Sequence, residues 1–197
     1  MTARCDILTI GHSRHSLERF AALLEAAQVT AIADVRSAPV SRFSPQFNKA
    51  ALSASLPARG VVYEFLGKEL GGRPARPELY TQGVADYEKL AAAPEFRAGL
   101  ARLIELAERQ RLAAMCAEAD PLDCHRCLLI GRALAETGRE VGHILPSGEI
   151  VTHAQIEDRL LERANLTEAG LLLQSRDERL AEAYRARARR AAYAATR

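Results

Sequence analysis

The chain has 197 residues, 48% of them hydrophobic and 26% charged, which is the composition of a folded globular protein with room for about one ordinary domain. No apolar run approaches the roughly 20 residues that a membrane span needs, and the N-terminus lacks the pattern of a secretion signal, so we expect a cytoplasmic protein. The formal net charge of +2 is uneven, because residues 181–197 carry five arginines and one glutamate. This basic tail is either a contact for nucleic acid or a solvated helix end.

The N-terminal part of the chain predicts a strand, a helix and a second strand in succession. "DILTIGHS" is typical of a short buried strand, "SLERFAALLEAAQ" has helical spacing of its apolar residues, and "VTAIADVRSAP" is a second buried strand. A loop and a short helix then precede a third strand, "VVYEFL". The Gly- and Pro-rich stretch "GKELGGRPARPELYTQG" is expected to form a long exposed loop.

The C-terminal part continues the alternation. Pro94 is expected to open a helix, "RLAAMCAE" to form a fourth strand, and Asp123 to cap the helix that runs to Gly138. "EVGHIL" predicts a fifth strand, and Thr152 with Gln155 predicts a capping box at the start of the next helix. We therefore expect an α/β domain over residues 1–161, with a mostly parallel sheet of about five strands and helices on both faces, followed by a helical, arginine-rich extension over residues 162–197.

Reactive side chains follow three of the predicted strands. His12 and Ser13 end the first strand, Asp34 and Arg36 the second, and "CAE" (116–118) the fourth. Because open α/β sheets bind ligands at the carboxyl ends of their strands, we expect these segments to converge on one cleft.

An anion site is the favoured interpretation of this cleft. The residues after Asp123 are expected to form the first turn of a helix, whose free N–H groups attract phosphate. The residues expected to bind the substrate or its anion are Ser13, Arg36, Ser41, Arg42, Tyr63, His125 and Arg126. The alternative is a structural network in which the arginines pair with nearby carboxylates.

Glu118 is the main candidate for a general acid or base, with Asp34 and His12 as further catalytic candidates. Glu118 has the alternative of a surface ion pair, and Asp34 that of a buried partner for Arg36.

Cys124, at a helix start beside His125 and Arg126, is a candidate thiolate nucleophile or a small buried core residue. "CHRC" (124–127) also admits redox chemistry. Zinc is a weak alternative, because Cys116, Cys124, His125 and Cys127 form one cramped group rather than two separated ligand pairs. We therefore expect no metal and no cofactor.

The motifs "TIGHS", "DVRSAP-SRF", "GVVYEFLGKELGG", "MCAEADPLDCHR" and "GHILPSGEI" occur in an order that resembles the family catalogued as domain of unknown function 488, over about residues 7–161. The resemblance implies an α/β domain but supplies no reaction. It implies these signature positions: Gly11, His12, Ser13, Asp34, Arg36, Pro39, Ser41, Arg42, Tyr63, Gly71, Gly72, Cys116, Glu118, Cys124, His125 and Arg126.

We expect an enzyme that acts on a phosphate-containing small molecule or nucleic acid. The reaction would be that of a hydrolase or transferase, and cleavage of a glycosidic bond is among the reactions considered. A binding module without turnover and a Cys124-dependent thiol or redox enzyme are the alternatives. No membrane partner is expected, and a homodimer is left open.

Overall fold

The computed structural model describes residues 5–167 and 174–195. The strands are β1 (Ile7–Gly11), β2 (Ala31–Asp34), β3 (Val62–Phe65), β4 (Tyr80–Thr81), β5 (Val84–Ala85), β6 (Leu112–Cys116), β7 (Val141–Ile144) and β8 (Ile150–Thr152). The α-helices are α1 (Leu17–Ala26), α2 (Lys49–Ser55), α3 (Tyr87–Ala92), α4 (Pro94–Arg109), α5 (Arg132–Glu136), α6 (His153–Ala164) and α7 (Arg176–Ala191).

A six-stranded sheet organises the protein, in the order β3-β2-β6-β1-β7-β8. Its first five strands are parallel, and only β8 runs antiparallel, to β7. The predicted α/β class, with its mostly parallel sheet, is confirmed. Of the predicted strands all five are present, and the short edge strand β8 is added to them.

Both faces of the sheet are covered, which explains why its central strands β1, β2, β6 and β7 are buried along their whole length. Leu8 and Ile10 point to one face and pack with α1 and α2, whereas Ile7 on the other face packs with the remaining helices. A short strand buried on both sides has no polar alternation, so β1 has five buried residues in succession.

Two stretches differ from the sequence prediction. The expected exposed loop after β3 instead buries Leu70, Gly71 and Gly72 and ends in the small β4–β5 hairpin, followed by α3. Gly71 has to be a glycine, because a Cβ there would lie 2.3 Å from the Gly67 carbonyl oxygen. The first part of the loop is therefore packed against the domain, whereas residues 75–78 and 81–83 are exposed as predicted.

The helix after β6 does not begin at Asp123 as predicted. Asp123 belongs to a 3₁₀ turn (Pro121–Asp123) and forms an ion pair with Arg187 of α7. The helix starts at Cys124, whose carbonyl accepts a hydrogen bond from Leu128 N and whose Sγ accepts one from Arg126 N at 3.4 Å. A π-helical segment (Arg126–Gly131) then leads into α5. The correction places a cysteine sulfur, not a carboxylate, at the helix start.

The C-terminal region contributes to the same core. Thr152 and Gln155 form the predicted capping box of α6, and α7 buries Leu180, Ala183 and Tyr184 within the larger hydrophobic cluster. No helix of the described residues has the length and apolarity needed to cross a bilayer.

Candidate active site

The carboxyl ends of β1, β6 and β2 lie side by side, as the strand order requires. A cleft of about 150 Å³ opens there, and Arg36, Cys116, Glu118, Cys124 and His125 are among its lining residues. The loop after β6 crosses directly over Gly11, where a Cβ would lie 1.8 Å from the Glu118 carbonyl oxygen. A glycine at the end of β1 is therefore a condition for the loop to reach the cleft.

Three residues of the cleft wall, here called the cleft cluster, have their sulfur and nitrogen atoms close together. They are Cys116, Cys124 and His125. His125 Nδ1 lies 3.6 Å from Cys116 Sγ and 3.8 Å from Cys124 Sγ. The other ring nitrogen, Nε2, lies 3.0 Å from the carbonyl oxygen of Val35. Because a carbonyl only accepts, Nε2 carries a proton, so in the neutral ring Nδ1 presents its lone pair to the two sulfurs.

Gly72 explains how the His125 ring is held. A Cβ at position 72 would lie 3.0 Å from His125 Cγ, so the chain passes directly against the ring. The Gly71–Gly72 pair of the sequence motif thus packs on the cleft cluster.

The thiols of the cleft cluster have opposite pKa shifts. Burial by itself raises the pKa of Cys124, but the hydrogen bond with Cys116 and the charges of Arg126 and His125 outweigh it and hold that pKa well below the ordinary thiol value. The same hydrogen bond with Cys124, together with burial, raises the pKa of Cys116. Burial lowers the pKa of His125, but the Cys124 thiolate outweighs it, so the net shift is upward. The arrangement favours one thiolate, on Cys124.

Glu118 is exposed at the mouth of the cleft, with Oε2 3.1 Å from Cys116 Sγ. The cleft walls remove part of its solvent, and this desolvation and the nearby Cys124 raise the pKa of its carboxyl group. A carboxyl group shifted toward neutrality can exchange protons with a bound molecule.

Arg126 is wholly buried and lies below the cleft rather than in its wall. Its Nη1 donates to the Glu118 carbonyl oxygen at 2.6 Å, and its Nη2 donates to that of Ala119 at 3.0 Å. The guanidinium thus fixes the loop that carries Glu118, whereas the sequence pattern predicted that it would bind an anion.

Asp34, Arg36, His12 and Tyr63 form a closed network under the cleft. Asp34 receives Arg36 Nη2 at 2.6 Å and the Tyr63 hydroxyl at 2.7 Å. Arg36 Nη1 donates to His12 Nε2 at 3.1 Å, so His12 Nδ1 carries the proton and donates to the Ser13 carbonyl oxygen at 2.9 Å. Burial, above all, lowers the pKa of His12 to about 4. Of these four, only Arg36 lines the cleft.

The remaining predicted binding residues lie in two loops. Ser13 ties the end of β1 to the loop after β6, since its N–H donates to the Ala117 carbonyl oxygen at 2.8 Å. Ser41 shapes the loop after β2 by accepting hydrogen bonds from Phe43 N and Ser44 N. Arg42 stacks over the Phe43 ring at 5.0 Å, outside the cleft lining.

Sequence reasoning missed the cleft residues Arg73 and Tyr193. Arg73 N donates to Ser37 Oγ at 2.9 Å, and its guanidinium lies 4.7 Å from the centre of the Tyr193 ring. Tyr193 reaches the cleft because the segment after α7 pairs with the β4–β5 hairpin, with Ala85 N donating to the Tyr193 carbonyl oxygen at 2.9 Å. Arg73 follows the Gly71–Gly72 pair and was within reach of sequence analysis, but nothing in the sequence signals the return of the C-terminal tail.

Cys127 does not join the cleft cluster. It lies with His143 and His153 in a second group, here called the histidine cluster. His143 Nε2 and His153 Nδ1 are 3.0 Å apart, and the outer nitrogens contact Thr9 Oγ1 at 2.8 Å and the Tyr184 hydroxyl at 2.9 Å. The two cysteines of "CHRC" are thus in different surroundings.

Comparison with known proteins identifies a family but no characterised relative. No curated protein and no solved structure matches this chain. A family model described as "Domain of unknown function DUF488" matches residues 16–133, which include the loops after β2, β3 and β6. The chain belongs to this DUF488 family.

Proposed function

We propose that this protein is a hydrolase that acts on a phosphate-containing substrate, a nucleotide or nucleic acid, with Glu118 transferring the proton of an attacking water. The observation that carries the proposal is the placement of Glu118, which is exposed in the cleft while Arg126 clamps its carbonyl oxygen from below. The bond broken is a phosphate ester or the glycosidic bond to a base. A transferase follows from the same chemistry if another acceptor replaces water.

Two arginines among the residues that line the cleft support an anionic substrate. Arg73 is exposed beside the cleft. Arg36 uses four of its guanidinium N–H groups on Asp34, His12 and the Phe47 carbonyl oxygen, out of the five that an arginine carries, among the contacts of the described residues. The remaining Nη1–H is available to a phosphate oxygen, and the Tyr193 ring offers a surface on which a base can stack.

The segment that follows β2 supports a nucleic acid as the substrate. Residues 35–63 contain Arg36, Arg42, Lys49 and Arg59 but no Asp or Glu. Phe43 is 84% exposed on a loop that Ser41 holds in shape, and Arg42 stacks on it. An exposed aromatic ring in an acid-free basic segment is the usual platform for an unpaired base.

A cysteine-dependent enzyme is the second candidate, favoured by the lowered pKa of Cys124. The hydrogen bond with Cys116 and the charges of Arg126 and His125 outweigh the effect of burial on this thiol. A binding module without turnover is the third, and it is the outcome if ligands bind but no variant changes a rate.

The test is a turnover screen against oligonucleotides and nucleotides, comparing wild type with Glu118→Gln. Loss of the proton-transfer group should lower kcat about 100-fold or more with little change in binding. Glu149→Gln is the matched control, because Glu149 is exposed in the turn between β7 and β8. Full activity in Glu118→Gln would show the assignment to be wrong.

A further inference from the structure

The two nitrogen–sulfur separations in the cleft cluster are close to those that a tetrahedral metal ion imposes. With Zn–S of about 2.3 Å and Zn–N of about 2.0 Å, tetrahedral angles place a sulfur and a nitrogen ligand about 3.5 Å apart. His125 Nδ1 lies 3.6 Å from one cysteine sulfur and 3.8 Å from the other. All three ligand atoms lie within 4.8 Å of one another, and all three residues are buried.

The surroundings prepare these atoms as ligands. The hydrogen bond from His125 Nε2 to the Val35 carbonyl oxygen fixes the tautomer in which Nδ1 is free, which is the usual support for a metal-bound histidine. Arg126 N donates to Cys124 Sγ, and such a bond stabilises a thiolate, the form in which cysteine binds metal. Gly72 confines the ring from the opposite direction.

We propose that Cys116 Sγ, Cys124 Sγ and His125 Nδ1 bind one zinc ion, with the fourth position open to the cleft. Two thiolates and a neutral imidazole are borderline-soft ligands that suit zinc and balance its charge. Binding releases to solvent whatever protons the two sulfurs and His125 Nδ1 still carry, as the pH dependence of such sites requires.

This inference rests on the proposed function, for which it supplies the nucleophile. Zinc lowers the pKa of a bound water, and Glu118 lies next to the open position, with its carboxylate 3.1 Å from Cys116 Sγ. Glu118 takes a proton from the water as the water oxygen bonds to the phosphorus of an ester or to the sugar carbon of a glycosidic bond. The bond to the leaving oxygen or base nitrogen breaks, and Glu118 returns the proton to that leaving atom. Zinc deaminases likewise place a proton-transferring, non-ligand glutamate two residues after a ligand, the spacing of Cys116 and Glu118.

The histidine cluster shows what a buried Cys–His group is like without this preparation. All four ring nitrogens of His143 and His153 are used in hydrogen bonds, to each other, to Thr9 and to Tyr184. No lone pair of either ring is left for an ion, so a metal there would have to break the chain of hydrogen bonds.

Cobalt(II) is the probe for the test, added to the full-length chain after chelation and dialysis. The wild type should bind about one ion per chain and give thiolate-to-cobalt charge-transfer absorption with the strong visible bands of tetrahedral coordination. Zinc should displace the cobalt, and two thiols per chain should become unreactive when either metal is bound. Cys116→Ser and Cys124→Ser should each weaken binding at least tenfold, whereas Cys127→Ser, three residues along the helix, should bind as the wild type does.

Wild-type protein without a charge-transfer band, or equal loss of metal in Cys127→Ser, overturns the zinc site. The wild-type cobalt titration and thiol count keep the test valid if a cysteine variant does not fold. Glu118→Gln separates the two proposals, because it should bind cobalt normally while losing turnover. If Glu118→Gln is active and binds metal normally, only the proposed function is refuted. If Glu118→Gln is inactive and the wild type binds no metal, only the zinc site is refuted.

Discussion

The cleft cluster and the histidine cluster contain the same residue types, and their nearest cysteines are three residues apart, yet their lone pairs are used differently. In the cleft cluster, one nitrogen of His125 is bonded to a backbone carbonyl and the other faces two sulfurs. In the histidine cluster, hydrogen bonds run without a break from Thr9 through both histidines to Tyr184 and on to Glu157. Residue type alone therefore does not distinguish a reactive group from a structural one.

Charge and access account for the difference. The cleft cluster lines the cleft, and the hydrogen bond with Cys116 and the charges of Arg126 and His125 favour a thiolate on Cys124. At Cys127 burial outweighs the charge of the same Arg126. The histidine cluster is sealed between β1, β7, α6 and α7, and burial keeps both of its histidines neutral by lowering each pKa. A network in which every donor has an acceptor stabilises the core, and it leaves no nitrogen lone pair free to bind a metal or a proton.

The largest expected effect is on thiol reactivity, and equal reactivity in the two clusters would contradict the difference described above. In metal-free folded protein at pH 6, iodoacetamide should modify Cys124 about 100-fold faster than Cys127, because burial raises the pKa of Cys127 whereas the pKa of Cys124 is lowered. Trypsin cleaves at Arg126, between the two cysteines. The peptide 112–126 contains both Cys116 and Cys124, so tandem mass spectrometry locates the label within it, and the peptide 127–132 gives the rate at Cys127.

Unfolded protein is the control for this experiment, since both thiols should then react equally. Modification of Cys127 as fast as that of Cys124 in the folded protein would contradict the assignment. Zinc should protect Cys124 and leave the rate at Cys127 unchanged.

The next effect is on stability in acid, which probes the histidine cluster. Burial lowers the pKa of His153 to about 4, below the value of about 6.5 in the unfolded chain. The unfolded state therefore binds a proton first, so the stability contributed by neutral His153 is complete above about pH 6.5 and is lost as the pH falls toward 4. We expect a loss of about 2–3 kcal/mol from this group over that range.

Urea unfolding of wild type and His153→Gln at several pH values between 4 and 7 measures this contribution. The difference in unfolding free energy between the two proteins should shrink as the pH falls. A difference that stays constant with pH would mean that His153 is charged, or equally accessible, in both states.

The smallest effect comes from two glycines that each press on a histidine ring. A Cβ at Gly72 would lie 3.0 Å from Cγ of His125, and one at Gly131 would lie 3.1 Å from Cε1 of His153. Gly72→Ala should displace the root of the His125 ring and weaken cobalt binding about tenfold, the range found for residues that support a ligand. Gly131→Ala should leave cobalt binding unchanged and alter the free energy of unfolding by less than about 1 kcal/mol, because helix propensity offsets the contact. Competitive metal titration and thermal unfolding of both variants provide the comparison, and equal cobalt affinities would argue against the role of Gly72.

Local pattern was enough to predict most of the fold. Short, mostly apolar runs identified the five parallel strands, because strands covered on both faces lack the regular polar alternation of half-exposed ones. Pattern was less informative about short elements, since two-residue strands such as β4 and β5 have too few positions to show a period. The predicted start of the helix after β6 was wrong because aspartate is a common N-cap residue. Only the tertiary ion pair with Arg187 shows where the Asp123 side chain lies.

The candidate site was predictable as a neighbourhood but not in its details. Residues at the ends of β1, β2 and β6 were expected to converge because parallel strands align their carboxyl ends. The sequence order does not reveal that Arg126 donates hydrogen bonds to the carbonyls of the loop after β6. It also does not show that both ring nitrogens of His12 are hydrogen-bonded, or that the C-terminal tail brings Tyr193 to the cleft.

The amino-acid sequence by itself determined the α/β class, the strand ends at which reactive residues gather, and membership of the DUF488 family. Only the tertiary structure decided which cysteines share a histidine, because the direction of a side chain depends on a helix start set by contacts from distant parts of the chain. The carbonyl of Val35 selects the free nitrogen of His125 from 90 residues away, and no local pattern records a hydrogen bond of that range.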